Sequence, residues 1–262
     1  MRSLTNNNRS GHAPRALAAL MLIALLAVAG CGDDDDSNPT GPIDPQVSDF
    51  DQATAMAQAQ AAAPQGVALV ESMSAMAEGY NKSYGWNPDT QRWESSETWS
   101  QAGYTYNWSY TVQYLDAGGN PQQDASGAAS ARHTMNGSGN YALDQGGAAL
   151  EYDFLYTYDT TMTGLNTDTL VLQGSGETDI DYTYVGNGVN VSDTYAMSWQ
   201  TVGNGVSFPT NGCPSGTIRY DMSPYHMDLV FDGQGNANGT LYDGGGNEVA
   251  GGSSSNQVSC GK

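Results

Sequence analysis

Carboxylates at alternate positions are the most chemically loaded pattern in this chain. Glu151 and Asp153 stand two residues apart, as do Asp179 and Asp181, so on an extended strand each pair points to one side. Two carboxyl groups facing one substrate are the apparatus of glycoside hydrolysis. With 28 acidic residues among 262, such pairs also arise by chance. A second constellation, Met222-Ser-Pro-Tyr-His226-Met227, offers soft ligands that suit copper. A strand edge turning at Pro224 accounts for it more simply. A third, Asp232-Gly-Gln-Gly-Asn236-Ala-Asn238-Gly239 with Asp243 beyond it, places oxygen ligands at alternate positions, loosely as a calcium loop does. It departs from the EF-hand spacing and lacks the closing glutamate. A glycine-rich hairpin is the plainer reading, and Asp232, Asn236, Asn238 and Asp243 are the candidate calcium ligands. The motifs Gly-x-Ser-x-Gly and His-Glu-x-x-His are missing, and only His133 and His226 follow residue 31. No catalytic residue is assigned.

The tyrosines carry more weight. The chain holds 16 Tyr and 5 Trp but only 4 Phe. A tyrosine pairs an apolar ring with a hydroxyl that wants a partner, which suits a half-wet wall better than a dry core. Tyr104, Tyr106, Trp108, Tyr110, Val112 and Tyr114 alternate with Thr105, Asn107, Ser109, Thr111 and Gln113. Strict alternation over that length predicts an antiparallel strand with one wet side. Tyr104, Tyr106, Trp108, Tyr110 and Tyr114 therefore either line a cavity that takes lipids, sugars or aromatic molecules, or pack as core.

The elements that position this face follow from the same periodicity. Leu150 to Tyr158 alternates again, and shorter runs follow at Thr169–Leu172, Ile180–Tyr184, Tyr195–Trp199, Thr217–Met222 and Met227–Phe231. Turns are expected at Gly118-Gly119-Asn120, Gly137-Ser138-Gly139-Asn140, Gly186-Asn187-Gly188 and Gly203-Asn204-Gly205, where positive φ is tolerated. Val185 to Val191 is echoed 17 residues later by Val202 to Phe208, as two hairpin turns at one end of a meander. About nine to eleven strands result. Ahead of them, Ser48 can cap a helix running to about Ala63, broken by Pro64-Gln65-Gly66. Leu69, Met73, Met76 and Tyr80 mark a second helix that Gly79 and Asn81 end. The expected fold is mainly β: an antiparallel meander forming a barrel, half-barrel or curved sheet, with two short N-terminal helices.

The first 31 residues are of another kind. Arg2, Arg9 and Arg15 precede an uncharged apolar run from Ala16 to Ala29, and Val28-Ala29-Gly30-Cys31 closes it. The run is too short to span a membrane. This arrangement resembles the signal and lipobox of bacterial lipoproteins. The resemblance implies cleavage before Cys31, acylation of its thiol, and a membrane anchor whose polypeptide stays in water. Gly32 at the next position, in place of Asp, implies the outer membrane, facing the periplasm or the cell surface. Asp33 to Asp36 is similar to the acidic export tags of surface lipoproteins, and it also serves simply to keep a tether solvated.

Three domains of behaviour are thus expected: a signal over 1–30, a lipidated cysteine with an acidic, Pro-punctuated tether over 31–46, and one β-rich domain over 47–262. The 232 residues after the signal keep five basic residues against 28 acidic ones, a formal charge of −23. Nucleic acid and anionic lipid headgroups are poor partners for such a surface. Cys213 and Cys260 form an even pair in an oxidising compartment, so a disulfide is expected, closing a loop of roughly 48 residues worth about 4 kcal/mol. It would pin an otherwise loose tail, Gly251 to Ser259. No cofactor is expected beyond the covalent lipid on Cys31 and possible calcium. In outline the arrangement is similar to lipoprotein carriers with a half-barrel and helical lid. The expected function is a non-catalytic envelope protein that binds a hydrophobic ligand, a glycan or another envelope protein; a glycosidase-like hydrolase is the alternative.

Overall fold

The computed structural model describes residues 50–76, 84–101, 103–145, 148–186 and 189–261. The expected signal, Cys31, the expected tether and Ser48 lie outside them. One helix precedes thirteen strands among the described residues. The helix is α1 (Gln52–Met76). The strands are β1 (Gly85–Asn87), β2 (Arg92–Gln101), β3 (Tyr104–Leu115), β4 (Pro121–Gln122), β5 (Ser130–Gln145), β6 (Ala148–Thr163), β7 (Thr169–Gly186), β8 (Val189–Thr201), β9 (Val206–Pro209), β10 (Ser215–Met222), β11 (Tyr225–Asp232), β12 (Asn236–Tyr242) and β13 (Glu248–Gln257). They form one antiparallel sheet in the order β1-β2-β3-β5-β6-β7-β8-β10-β11-β12-β13, with β4 beside β3 and β9 between β7 and β10.

Two expected helices are one. Asp51 is the cap: its Oδ1 accepts the N–H of Thr54 at 2.6 Å and its carbonyl that of Ala55. The helix runs through Pro64, which lies on the exposed side. It survives the missing N–H because one buried stripe, Ala55, Ala59, Ala62, Ala63, Val67 and Val70, continues across the proline. That stripe packs against β10–β13 and reaches β7. Gly66 is no breaker. A Cβ there would meet Leu229 Cδ2 at 2.5 Å and the Tyr220 hydroxyl at 2.7 Å, so glycine is what lets helix and sheet approach. Tyr80 and the expected end at Gly79 and Asn81 lie outside the described residues.

Other glycines were also expected to turn the chain and do not. Gly137 and Gly139 sit in the middle of the 16-residue β5. The runs at Thr169–Leu172 and Ile180–Tyr184 are the two ends of the 18-residue β7, joined through Gly174 and Gly176. A Cβ at Gly139 would strike the Phe154 ring at 2.5 Å, and one at Gly137 or Gly176 would enter the rings of Trp108 or Trp199. These positions seat aromatic rings, a reason for glycine inside a strand. Gly203-Asn204-Gly205 is not a hairpin either. Both β8 and β9 pair with β7, from Gly186↔Val189 to Ser175↔Gln200 and then from Leu172↔Val206 to Thr169↔Pro209. They form one interrupted strand with a jog between them. Asn187 and Gly188 lie outside the described residues; Gly186 and Val189, which flank them, pair at the far end of β8 from Gly203. The two echoed segments therefore stand at opposite ends of that strand.

The tail is ordered by pairing. β13 bonds to β12 from Asn236↔Gln257 to Tyr242↔Glu248 and lies beside α1. Cys213 and Cys260 are bonded to each other, which joins the loop before β10 to the last residues after β13. Beyond Gln257, Val258 is buried and donates its N–H to the Gly235 carbonyl, and Gly261 donates to that of Gly212.

Register sorts every strand into two faces. The helix face carries Leu172, Trp199, Ile218, Tyr220, Met222, Met227, Leu229, Phe231 and Leu241, all buried. The far face is polar, with Ser100, Thr105, Asn140, Asp153, Asp181 and Thr194 in one row across six strands.

Candidate functional site

On the helix face the aromatic residues gather away from α1, on β2 to β7. Tyr104 lies opposite Tyr141, Tyr141 opposite Tyr152, and Tyr152 opposite Tyr182. One row inward, Trp99 faces Tyr106, Tyr106 faces Gly139, and Gly139 faces Phe154. The next row joins Glu97, Trp108, Gly137 and Tyr156. The ring centroids make a connected field: Tyr104–Tyr141 at 4.1 Å, Trp99–Tyr106 at 5.4 Å, Tyr106–Phe154 at 5.5 Å and Trp108–Phe154 at 6.0 Å. Along β3 the ring planes stay nearly parallel, tilting by 13° from Tyr104 to Tyr106 and 11° from Tyr106 to Trp108.

Exposure divides the expected wall in two. Tyr114 is buried with Val112, Ala128 and Ala131, and belongs to a core cluster. Tyr110 is the transition, and burial raises its phenol far above the usual value. Tyr104, Tyr106 and Trp108 are half-buried, and Trp99 at the margin is 40 % exposed. The strand is core at one end and wall at the other, because α1 packs on β10–β13 and β7. Trp99, Tyr141, Tyr152 and Phe154 belong to the wall and were not singled out as its members from sequence. The signal was their alternation, whose register across strands only the structure supplies.

The wall is hydroxyl-rich, with the carboxylates Glu97 and Asp193 at its margins. Desolvation raises the phenols of Tyr104, Tyr106 and Tyr152, so they stay protonated at any physiological pH. Tyr182 donates its hydroxyl to Asp193 Oδ2 at 3.0 Å and stacks on Tyr195, which packs against Phe50 at 4.9 Å beside the start of α1. Tyr84, returning the chain to the sheet, is raised to about 12 by burial.

The paired carboxylates lie on the other side of the sheet. Asp153, Asp179 and Asp181 line a depression of about 490 Å³ with Thr105, Asn107, Ser138, Asn140 and Leu155. Asp153 stands directly opposite Asp181, which accepts the Thr194 hydroxyl at 2.6 Å. Asp153 and Asp181 are exposed, whereas a general acid of a glycosidase needs a carboxyl raised by an apolar setting.

The calcium candidates are held by their own hairpins. Asp232 Oδ1 accepts the N–H groups of Gln234 (2.7 Å) and Asn236 (3.0 Å), and Oδ2 accepts Asn236 Nδ2. Asp243 does the same with Gly245 and Asn247, and Asp116 with Gly118 and Asn120. Three loops thus share one design, Asp-x-x-Gly-Asn, and these bonds lower each carboxyl below its ordinary value. Asp232 and Asp243 sit at opposite ends of β12, and Asn238 accepts the Ser255 hydroxyl. The four are not brought together. The Met222–Met227 cluster is split by parity: both methionines are buried on the helix face, while His226 stacks on Tyr242 on the far face. Among the described residues no group of three His, Cys, Asp or Glu is placed to hold a metal ion, and no helix is long and apolar enough to cross a membrane. No family profile, curated protein or solved structure matches the chain.

Proposed function

We propose that the protein is a non-catalytic binding module, tethered by a lipid on Cys31 to the outer membrane and presenting the aromatic wall of β2–β7 to a ligand. One observation carries the reading: Trp108 and Phe154 lie half-buried over Gly137 and Gly139, on a part of the helix face away from the packing of α1. Half-exposed aromatic rings on a soluble surface are costly to leave in water, and their clustering marks an interaction site. A single antiparallel sheet with a helix on one face fits a carrier or receptor for an amphipathic molecule, and the anchor keeps it where envelope ligands pass. The acidic surface suits neutral or cationic partners and repels nucleic acid.

Tryptophan fluorescence tests this. Titration with an N-acetylglucosamine hexamer and, separately, with laurate is expected to perturb emission through Trp99 and Trp108 for at least one of the two. The response is expected to vanish in Trp108→Ala. A response that persists in that variant, or none with either probe, would refute the wall as the site.

A further inference from the structure

Beyond the aromatic wall the same face turns aliphatic. Past Tyr141, Tyr152 and Tyr182, register sets Leu143 opposite Leu150, Leu150 opposite Tyr184, and Tyr184 opposite Val191. All four are half-buried, and none is among the described residues that pack on either core cluster. On the far face of the same end, Ala149 lies opposite Val185, which is 46 % exposed. Apolar side chains thus wrap both sides of the end of β5–β8. We propose that this end docks on a neutral, zwitterionic bilayer surface, the membrane to which the lipid on Cys31 would hold the protein. The proposal rests on the anchor in the binding-module reading and adds to it a second, non-covalent contact with the same membrane.

The end stands clear of the packed body. β8 begins at Val189 but pairs with β10 only from Ser198 to Thr201, and β10 ends at Met222. Phe50 lies at the foot of the projection: its N–H donates to the Ser223 carbonyl at 2.7 Å, and its ring packs on Tyr195. From Tyr195, β8 continues about 20 Å further to Val189. Residues 32–49 separate Cys31 from Phe50, and fully extended such a segment reaches no more than about 65 Å. The end of β5–β8 therefore lies well inside the radius within which the lipid must enter the bilayer.

The size and chemistry of the patch favour a bilayer over a second copy of this chain. Four strands over that length present about 400 Å², roughly half of the 800 Å² that each partner of a stable protein complex buries. Two copies would also each bring a formal charge of −23. A bilayer needs no matching shape, and shallow apolar burial among the headgroups adds to what a covalent lipid already holds. Tyrosine suits that depth, with its ring among the acyl carbons and its hydroxyl at the headgroups.

Charge selects the lipid. Asp144 and Glu151 are exposed on the far face beside this end. The described basic side chains, Arg92, Arg132 and Arg219, lie toward the opposite end of the strands. An anionic headgroup would meet carboxylates there and no described cation, a penalty that a zwitterionic lipid escapes.

The test places the lipidated protein in phosphatidylcholine nanodiscs whose acyl chains carry a nitroxide. A nitrobenzoxadiazole fluorophore is attached in turn to Val185→Cys, Val191→Cys and Asn204→Cys, the last at an exposed site beyond the opposite end of β8. Quenching at positions 185 and 191 is expected to exceed that at 204 at least threefold, and to fall several-fold on phosphatidylglycerol discs. The unlabelled wild type gives a second reading. Its hydrogen exchange at the projecting ends of β5–β8 is expected to slow several-fold on discs relative to Cys31→Ser in solution, with Asp243–Asn247 unchanged. Equal quenching at the three positions, quenching at none, or unslowed exchange at those ends would overturn the docking and leave the anchor standing. Stronger quenching on phosphatidylglycerol would overturn the neutral surface. Wild-type protein that fails to enter the discs would remove anchor and docking together.

Discussion

Trp108 lies across Gly137 of the neighbouring strand, in the space a Cβ would fill. The same relationship joins Phe154 to Gly139 and Trp199 to Gly176. Each pair exchanges the strand propensity of a side chain for a seat under a ring, so the partners depend on each other. Gly137→Ala is expected to push Trp108 off its seat and cost about 1–3 kcal/mol. In the double variant with Trp108→Ala the cost is expected to be less than the sum of the two. Urea denaturation of the four-member cycle measures the coupling, and strict additivity would mean that the ring does not rest on residue 137.

His133 predicts a pH dependence. It is 2 % exposed between Val112 and Thr160, and desolvation lowers it to about 4 from the ordinary 6.5. Above pH 6.5 it is neutral folded or unfolded and costs nothing. As pH falls from 6.5 to 4, only the unfolded chain takes up the proton, so stability declines by about 3 kcal/mol and then levels off with respect to this group. The lowered carboxylates Asp116, Asp232 and Asp243 act in the same direction, losing their contribution as pH falls from the ordinary carboxylate range to their own lower values. His133→Leu is expected to flatten the loss between pH 6.5 and 4. An unchanged slope there would contradict the placement of His133 in the core.

Reduction of Cys213–Cys260 is expected to release Val258 to Gly261 and the loop around Cys213, while β13 keeps its pairing to β12. The global cost is about 2–4 kcal/mol. Hydrogen exchange with and without reductant resolves the two regions. Loss of protection across Glu248–Gln257 at a stage when β10 remains protected would show that the strand relies on the bridge.

Lipid anchoring is tested independently of the fold. Cells given a palmitate analogue are expected to label the wild-type protein and not Cys31→Ser, which should leave the membrane fraction. Label retained by the variant would contradict acylation at Cys31.

Much of this architecture was legible in the sequence, and the misses share one cause. β3 was readable to the residue because Tyr104 to Leu115 alternates without interruption, and one wet side is what alternation encodes. The helix was misread at Pro64-Gln65-Gly66 because local propensity favours a break there. The continuous stripe from Ala55 to Val70 overrides it through packing that no local rule registers. Gly137 and Gly139 were misread for the same reason: a glycine that turns the chain and one that seats a ring look alike until the partner strand is known. The shared Asp-x-x-Gly-Asn design of the loops at Asp116, Asp232 and Asp243 was not recognised from sequence, because at Asp232 and Asp243 a carboxylate among backbone amides resembles a carboxylate awaiting a cation. The aromatic wall was half-legible. Its β3 members stood out, while those on β2, β5 and β6 needed the register to join them.

The most direct test sets two tryptophans against each other by equilibrium denaturation. Trp199 and Trp108 both rest on glycines, but Trp199 is 3 % exposed near α1 and Trp108 is half-open in the wall. Trp199→Ala is expected to cost about 3–5 kcal/mol. Trp108→Ala is expected to cost about 1 kcal/mol, well short of that core value, while ligand binding is lost. Equal losses of stability in the two variants would make the wall ordinary core and contradict the account.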